Sequence, residues 1–139
     1  MFDARTVVVL FVFSLFGTTQ AAAGAYDEVR VKIMEPLRRF EAQRPTNCDS
    51  DDLQLSYLVP AQLAKDRRSL DEQAFFAGIF LEVADSALQY SCLDVADKLY
   101  RFVISAYTQP VFSAYRQRAE IGVQDVREAR KSPGKDKKR

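Results

Sequence analysis

Apolar side chains recur at intervals of three and four residues along most of this chain, which places them on one face of an α-helix. The clearest run follows Ser69, which forms with Glu72 the S-x-x-E pattern of a capped helix start. Its two stripes are Leu70, Ala74, Ala77, Leu81, Ala84 and Leu88, and beside them Phe76, Phe80, Val83 and Ala87. A helix that is apolar around this much of its circumference is expected to be central and packed on more than one side.

The first helical segment spans residues 26–43. Its apolar face consists of Val29, Ile33, Leu37 and Phe40. Pro36 lies inside the segment and removes one backbone hydrogen bond, so we expect a kink or a new helix start near Glu35. Pro45 ends the segment.

A second segment follows Cys48. Its cap is predicted to be Asp51, with Gln54 completing a capping box, or alternatively Asp49 or Ser50. Its apolar stripe is Leu53, Tyr57 and Leu58. Proline is tolerated in the first turn of a helix, so Pro60 is expected to begin a separate short helix that runs through Arg68.

Two more helices follow the central one. Ser91 with Asp94 predicts the start of the fourth helix, and Thr108 is expected to cap the fifth, with Pro110 in its first turn. Their apolar positions are Leu93, Ala96, Leu99, Tyr100, Val103, Ile104 and Tyr107, and then Phe112, Tyr115, Ala119, Gly122 and Val126. The sequence therefore predicts an all-α fold of four to six antiparallel helices, in a single domain of residues 26–130.

Residues 1–25 have the layout of a secretory signal peptide. A start that contains Arg5 precedes an apolar run over residues 7–16, and small residues follow, with cleavage expected after Ala23 or Ala25. The run is too short to cross a bilayer, although an uncleaved membrane anchor is the alternative. We therefore predict an exported protein, periplasmic or secreted, without a transmembrane segment after signal removal.

Cys48 and Cys92 are the only cysteines, and two cysteines in an oxidising compartment are expected to form a disulfide. In an antiparallel up-and-down arrangement, the loops that contain them lie at the same end of the domain. Free thiols and pairing between molecules are the alternatives. Cys48 also lies near three aspartates, but the stretch lacks the spacing of a calcium loop, and two distant thiolates are too few for zinc. The prediction is a structural disulfide and no metal site.

The chain contains no histidine, and its five glycines are scattered. Serine and cysteine triads, histidine zinc sites, histidine-ligated haem and glycine-rich phosphate loops are therefore excluded. We expect no cofactor, no catalytic residue and no enzymatic activity. The alternative enzyme is a carboxylate-only hydrolase of cell-wall glycan, for which Glu82 and Asp85 are the candidate pair because they interrupt the most apolar helix.

Residues 80–110 resemble a single tetratricopeptide helix hairpin. The first helix of that pattern matches at Phe80, Val83, Ala84 and Ala87, and the second at Ala96 and Tyr100, with Pro110 after it. The turn lacks its usual glycine, and Ala87 replaces a large aromatic residue. The resemblance implies an α-solenoid-like scaffold that binds protein segments on a concave face. A helical bundle is the alternative architecture.

Residues 131–139 are predicted to form a disordered basic tail, because a Ser-Pro-Gly sequence breaks any helix there. Its cations are Lys131, Lys135, Lys137, Lys138 and Arg139. They could contact an anionic surface or simply keep the terminus solvated. No aromatic residue interleaves them to stack on bases, so we expect no nucleic-acid partner.

A helical scaffold with charged outer faces and no catalytic set favours a protein that acts by binding another protein. We expect an envelope adaptor, a chaperone-like factor or a secreted effector. A carrier of a small apolar ligand is a further alternative. The candidate face for either a partner or a ligand consists of Phe75, Phe76, Phe80 and Tyr100.

Overall fold

A computed structural model describes residues 26–67 and 69–132. The predicted signal peptide, residues 1–25, and residues 133–139 of the predicted tail lie outside these ranges. The chain divides into two compact units after Ile33. In the first unit, residues 26–33 are helical, and the side chains of Tyr26, Val29 and Val31 are exposed.

The described residues of the second unit form five α-helices and one 3-10 turn. They are α1 (Glu35–Glu41), α2 (Asp51–Ala64), α3 (Leu70–Gln89), α4 (Leu93–Ala106), the 3-10 turn (Pro110–Phe112) and α5 (Ser113–Lys131). Each helix packs against the next, and α3 also packs against α5. The predicted all-α fold is confirmed, with no strand among the described residues. The central position of α3 is confirmed as well, because it contacts three other helices.

A new helix begins at Glu35, as the position of Pro36 in the sequence predicted. Met34 forms a turn, and Pro36 lies in the first turn of α1, where its missing backbone donor breaks no hydrogen bond. Leu37 and Phe40 are buried. Arg39 of α1 pairs with Asp52 of α2 at 3.0 Å, which links the two helices at their exposed side.

Serine side chains cap α2 and α3. The Ser50 hydroxyl accepts the backbone N–H of Leu53 at 3.2 Å, so Ser50 is the cap among the three candidates for α2. The Ser69 hydroxyl accepts the backbone N–H of Glu72 at 3.1 Å and donates to its Oε1 at 2.9 Å. This interaction confirms the capping prediction for α3. Each such cap stabilises its helix by about 1 kcal/mol.

Pro60 does not begin a separate helix, so that prediction was wrong. α2 continues through it from Asp51 to Ala64. Pro60 removes the backbone donor that the carbonyl of Ser56 would otherwise receive. Leu53, Ser56 and Pro60 form the buried face of the helix, and burial of this face favours the continuous helix despite the missing hydrogen bond.

Ser91 ends α3 and does not cap α4, contrary to the prediction. Its φ of 63° is the left-handed conformation that usually takes glycine. The Ser91 N–H donates to the carbonyl of Leu88 at 3.1 Å, and the Cys92 N–H donates to that of Ala87 at 2.8 Å. These are the two hydrogen bonds of a Schellman motif, which a spacing of serine and aspartate cannot reveal.

Thr108 does not cap α5 either. The 3-10 turn begins after Gln109 without a side-chain cap hydrogen bond. Arg116 of α5 reaches back instead, and its Nη1 donates to the carbonyls of Tyr107 at 2.6 Å and Gln109 at 2.7 Å. The positive charge of Arg116 therefore lies at the negative end of the α4 dipole, where it binds the carbonyl of Tyr107 and shares the carbonyl of Gln109 with the Phe112 N–H.

The predicted disulfide is present. Cys48 and Cys92 are 44 residues apart in sequence, and their Cα atoms lie 5.4 Å apart. The bond joins the loop before α2 to the turn between α3 and α4. Closing a loop of this length stabilises the fold by about 4 kcal/mol in the chain-entropy treatment. Within the described residues, no helix is both long enough and apolar enough to cross a membrane.

Candidate functional site

The four residues predicted as a binding face lie mainly in the core. Phe76, Phe80 and Tyr100 are buried, and Phe75 is half-buried. Phe75 and Phe76 contact each other edge to face, with ring centroids 5.2 Å apart. The Tyr100 ring instead packs against α5. The four residues therefore form no common surface, but Phe80 lines an apolar groove that opens to solvent.

This α2–α4 groove has a volume of about 200 Å³. Its lining is Tyr57, Leu58 and Ala61 from α2, Phe80 from α3, and Lys98, Leu99 and Phe102 from α4. Because α2 and α4 both pack on α3, the two outer helices form the walls and Phe80 contributes the floor. The groove therefore results from the packing of α2 and α4 on the same helix, α3.

Two apolar stripes run along α2. Leu53, Ser56 and Pro60 form the buried stripe that faces the core. The exposed stripe is Leu55, Leu58, Val59 and Leu63. Leu58 is 51% exposed although it lines the groove, and the stripe runs about 12 Å along the helix at 1.5 Å per residue. Single exposed apolar residues are ordinary, whereas a contiguous exposed stripe is typical of an interaction surface. Only Leu58 of this stripe lines the groove, because at 3.6 residues per turn Val59 and Leu63 lie on the side of α2 away from Tyr57 and Ala61.

Lys98 is the one charged residue in the lining of the groove. Its Nζ lies 5.2 Å from the centroid of the Tyr57 ring, so a cation–π contact connects the two walls. None of the ion pairs formed within the described residues includes Lys98. Arg101, one turn further along α4, is instead neutralised by Asp97 at 3.0 Å. The groove therefore combines an apolar surface with one uncompensated positive charge.

A series of edge-to-face aromatic contacts holds the α4 wall in place. The ring centroids of Phe80 and Phe102 lie 4.9 Å apart, those of Phe102 and Tyr107 6.3 Å, and those of Tyr107 and Phe112 5.5 Å. Burial raises the pKa of Tyr107 to about 12, so its hydroxyl remains neutral at physiological pH. Phe102 is partly exposed, yet it is oriented by neighbours on both sides.

Asp85, one of the two candidate catalytic carboxylates, belongs to a cluster that joins three helices. Its Oδ1 accepts a hydrogen bond from the Tyr100 hydroxyl of α4, and its Oδ2 pairs with Arg118 of α5 at 2.7 Å. Burial and the bond to Asp85 both raise the pKa of Tyr100. Both carboxylate oxygens are therefore engaged in holding α3, α4 and α5 together. Glu82, the other candidate, is half-buried on α3.

A second cavity, of about 300 Å³, lies at the disulfide. Its lining is Cys48, Asp49, Ser91, Cys92, Leu93, Asp94, Val95 and Arg130. Arg130 pairs with Asp94 at 2.8 Å on its rim. No group of three or more cysteine, aspartate and glutamate residues suited to a metal ion occurs in the described ranges.

Two residues of the predicted basic tail, Lys131 and Ser132, fall within the described chain. Lys131 is the last residue of α5, and its Nζ lies 3.9 Å from Glu128. Lys135, Lys137, Lys138 and Arg139 lie outside the described residues. The predicted contact of the tail with an anionic surface stays a prediction.

Comparison of the chain with protein-family models, curated proteins and solved structures found no match. Inference about its function therefore rests on the geometry and chemistry of its own residues.

The sequence prediction did not select Tyr57, Leu58, Lys98 or Phe102 as site residues. One signal pointed to Tyr57 and Leu58: α2 contains more apolar residues than a single buried face can hold. Lys98 and Phe102 carried no comparable signal, because their role depends on how closely α4 approaches α2.

Proposed function

We propose that this chain is an exported helical protein that binds another protein through the α2–α4 groove and the exposed stripe of α2. The observation that carries the proposal is the apolar groove floored by Phe80, which continues through Leu58 into the exposed apolar stripe of α2. Covering apolar surface is favourable by about 25 cal/mol per Å². A partner that fills the groove and covers the exposed side of Leu58 would gain that free energy.

The size of the groove supports a protein partner over a small apolar ligand. Pockets for small molecules typically enclose about 300–1,000 Å³ and cover most of the ligand. The α2–α4 groove has about 200 Å³ and opens to solvent along the exposed side of Leu58. Such a groove accommodates one large apolar side chain of a partner.

The surroundings of Asp85 also support binding over glycan hydrolysis. A glycosidase needs two carboxyl groups that flank a sugar in a cleft. Asp85 is instead engaged by Tyr100 and Arg118, and the lining of the α2–α4 groove contains no carboxylate. The proposal therefore assigns no catalytic residue.

The succession of α3, α4 and α5 supports the tetratricopeptide-like interpretation. A helix hairpin whose first helix also packs against the following helix is the repeating arrangement of an α-solenoid. In such scaffolds the binding face is made by side chains of several helices, and the lining of the α2–α4 groove likewise comes from three helices. An adaptor, a chaperone-like factor or a secreted effector would each use such a face.

Export is the second part of the proposal. The Cys48–Cys92 disulfide is compatible with an oxidising compartment. Mass spectrometry of the protein isolated from its own cells is expected to show an N-terminus at Gly24 or Tyr26. A chain that retains residues 1–25 and fractionates with the cytosol would contradict export.

Site-specific photo-crosslinking in the cells that make the protein tests the binding part. A photoreactive residue at Leu58 or Phe102 is expected to give the same discrete adduct with another protein. The matched control is Ile121 of α5, which is 55% exposed against 51% for Leu58 and lies outside the groove. Adducts that are absent at both groove positions, or identical at Ile121, would refute the proposal.

A further inference from the structure

We infer that the partner presents an amphipathic α-helix to the α2–α4 groove, with an acidic side chain beside its apolar stripe. This inference rests on the proposed function and specifies the chemistry of the partner. Its first basis is the helical spacing of the apolar side chains that line the groove, and its second is the charge of Lys98, which forms no ion pair among the described residues.

The walls of the groove have the spacing that another helix can match. Leu58 and Ala61 of α2, and Leu99 and Phe102 of α4, follow one another at three-residue steps. A partner helix with apolar residues at i, i+4 and i+7 can lie along the groove and insert one of them between Leu58 and Phe102. The described residues offer no sheet edge to which an extended strand could add.

Lys98 determines what must lie beside that apolar stripe. The Tyr57 ring holds its ammonium group at the edge of the groove, and no carboxylate within the described residues pairs with it. Covering this charge with an apolar helix alone would desolvate it without a counter-charge, which is unfavourable. A glutamate or aspartate on the flank of the partner helix removes that penalty and forms an ion pair.

A selection experiment with displayed peptides tests this chemistry directly. The library consists of helical peptides with leucine fixed at i, i+4 and i+7 and with randomised flanking positions. The target is the disulfide-bonded protein purified from the cells that make it. Selection is expected to enrich glutamate and aspartate at one flanking position.

The variant Lys98→Glu is expected to reverse this preference toward lysine and arginine. An acidic peptide selected on the unmodified protein should bind Lys98→Glu about fivefold more weakly, since a partly exposed ion pair contributes up to about 1 kcal/mol. The charge control is Lys131→Glu, which lies at the end of α5 and should leave the selected peptides unchanged. The apolar controls are Leu58→Asp, which should abolish enrichment, and Ile121→Asp, which should retain it.

Three results would overturn the inference. The first is that no peptide is enriched, or that Lys98→Glu leaves the charge preference unaltered. The second is a dimer in analytical ultracentrifugation that Leu58→Asp converts to a monomer, which would mean that a second copy covers this face. The third is binding of dodecanoate in the groove in place of any peptide, which would identify an anionic amphiphile as the occupant.

The crosslinking experiment tests the proposed function, and the selection experiment tests the acidic partner helix, so the outcomes of the two can be distinguished. Crosslinks at Leu58 together with charge-indifferent peptides would retain the proposed function and reject the acidic helix. Absence of crosslinks at both Leu58 and Phe102 would reject the proposed function itself.

Discussion

Helices α2 and α3 are both rich in apolar residues, but only α3 buries most of them. Its buried side chains include Phe76, Ala77, Ile79, Phe80, Leu81, Val83, Ala84 and Ala87. In α2 burial is confined to Leu53, Ser56 and Pro60, while Leu55, Leu58, Val59 and Leu63 are exposed.

The cause of this difference is the number and length of the neighbouring helices. α3 packs against α2, α4 and α5, whereas α2 packs against α3 and against α1, which has 7 residues to the 14 of α2. An apolar face on a helix predicts that the face is buried in some contact. The number and length of the neighbouring helices decide whether the same chain buries it or leaves it exposed for another molecule.

Removal of the disulfide is expected to have the largest effect, because the bond joins the start of α2 to the end of α3. Replacing both Cys48 and Cys92 by alanine should lower the free energy of unfolding by about 3–4 kcal/mol, as measured by urea denaturation. Hydrogen exchange in the same variant should accelerate more in α2 than in α3. Equal acceleration of hydrogen exchange in both helices would contradict the interpretation that α2 has fewer stabilising neighbours than α3.

Truncation of one apolar side chain in each helix compares the two directly. Ile79→Ala in α3 is expected to cost about 3 kcal/mol of stability, because Ile79 is fully buried and a cavity remains. Leu58→Ala in α2 should cost less than about 0.5 kcal/mol, since half of the side chain is already exposed. It should nevertheless weaken the crosslink to the partner. Comparable losses of stability would remove the distinction between the two helices.

Two glycines test how closely the helices around α3 are packed. A Cβ added at Gly122 of α5 would overlap the ring of Tyr100, so Gly122→Ala is expected to destabilise the protein by about 2 kcal/mol. At Gly78 of α3, no atom other than those of its chain neighbours and its own helix backbone lies within 4 Å of such a Cβ. Gly78→Ala should therefore stabilise the protein by about 0.5–1 kcal/mol through helix propensity, and thermal unfolding can measure both changes. A stabilising Gly122→Ala would show that Tyr100 is free to move away.

A similarly small effect is expected at the end of α3. Ser91→Gly should stabilise the protein by about 0.5–1 kcal/mol, because glycine adopts the φ of 63° without the steric cost of a Cβ. The control is Ser105→Gly, at an exposed position inside α4, which should be destabilising by about 0.5 kcal/mol. If both serines responded alike to glycine in denaturation experiments, Ser91 would not be in the left-handed conformation.

Local signals in the sequence predicted most of the helices. The cap at Ser69, the new helix start near Pro36 and the pairing of Cys48 with Cys92 depend on neighbouring residues or on a count of cysteines. The interpretations that failed concern Pro60, Ser91 and Thr108. At each of these positions the outcome depends on burial or on contacts that a local pattern does not contain.

The candidate site was less predictable than the fold. Aromatic residues of α3 and α4 suggested a binding face, yet Phe76, Phe80 and Tyr100 are buried in the packing of the helices around α3. The groove instead involves Lys98 and Phe102, whose positions near Tyr57 result from the packing of both α2 and α4 on α3.

By itself the sequence determined that this chain is helical, where its central helix begins and which cysteines pair. Helical periodicity, serine caps and cysteine number act over a few residues or need no geometry at all. Only the tertiary structure decided which stripe of α2 faces water. Both stripes of α2 satisfy the same period, and burial depends on the neighbouring helices, so the groove became visible only once α2, α3 and α4 were packed together.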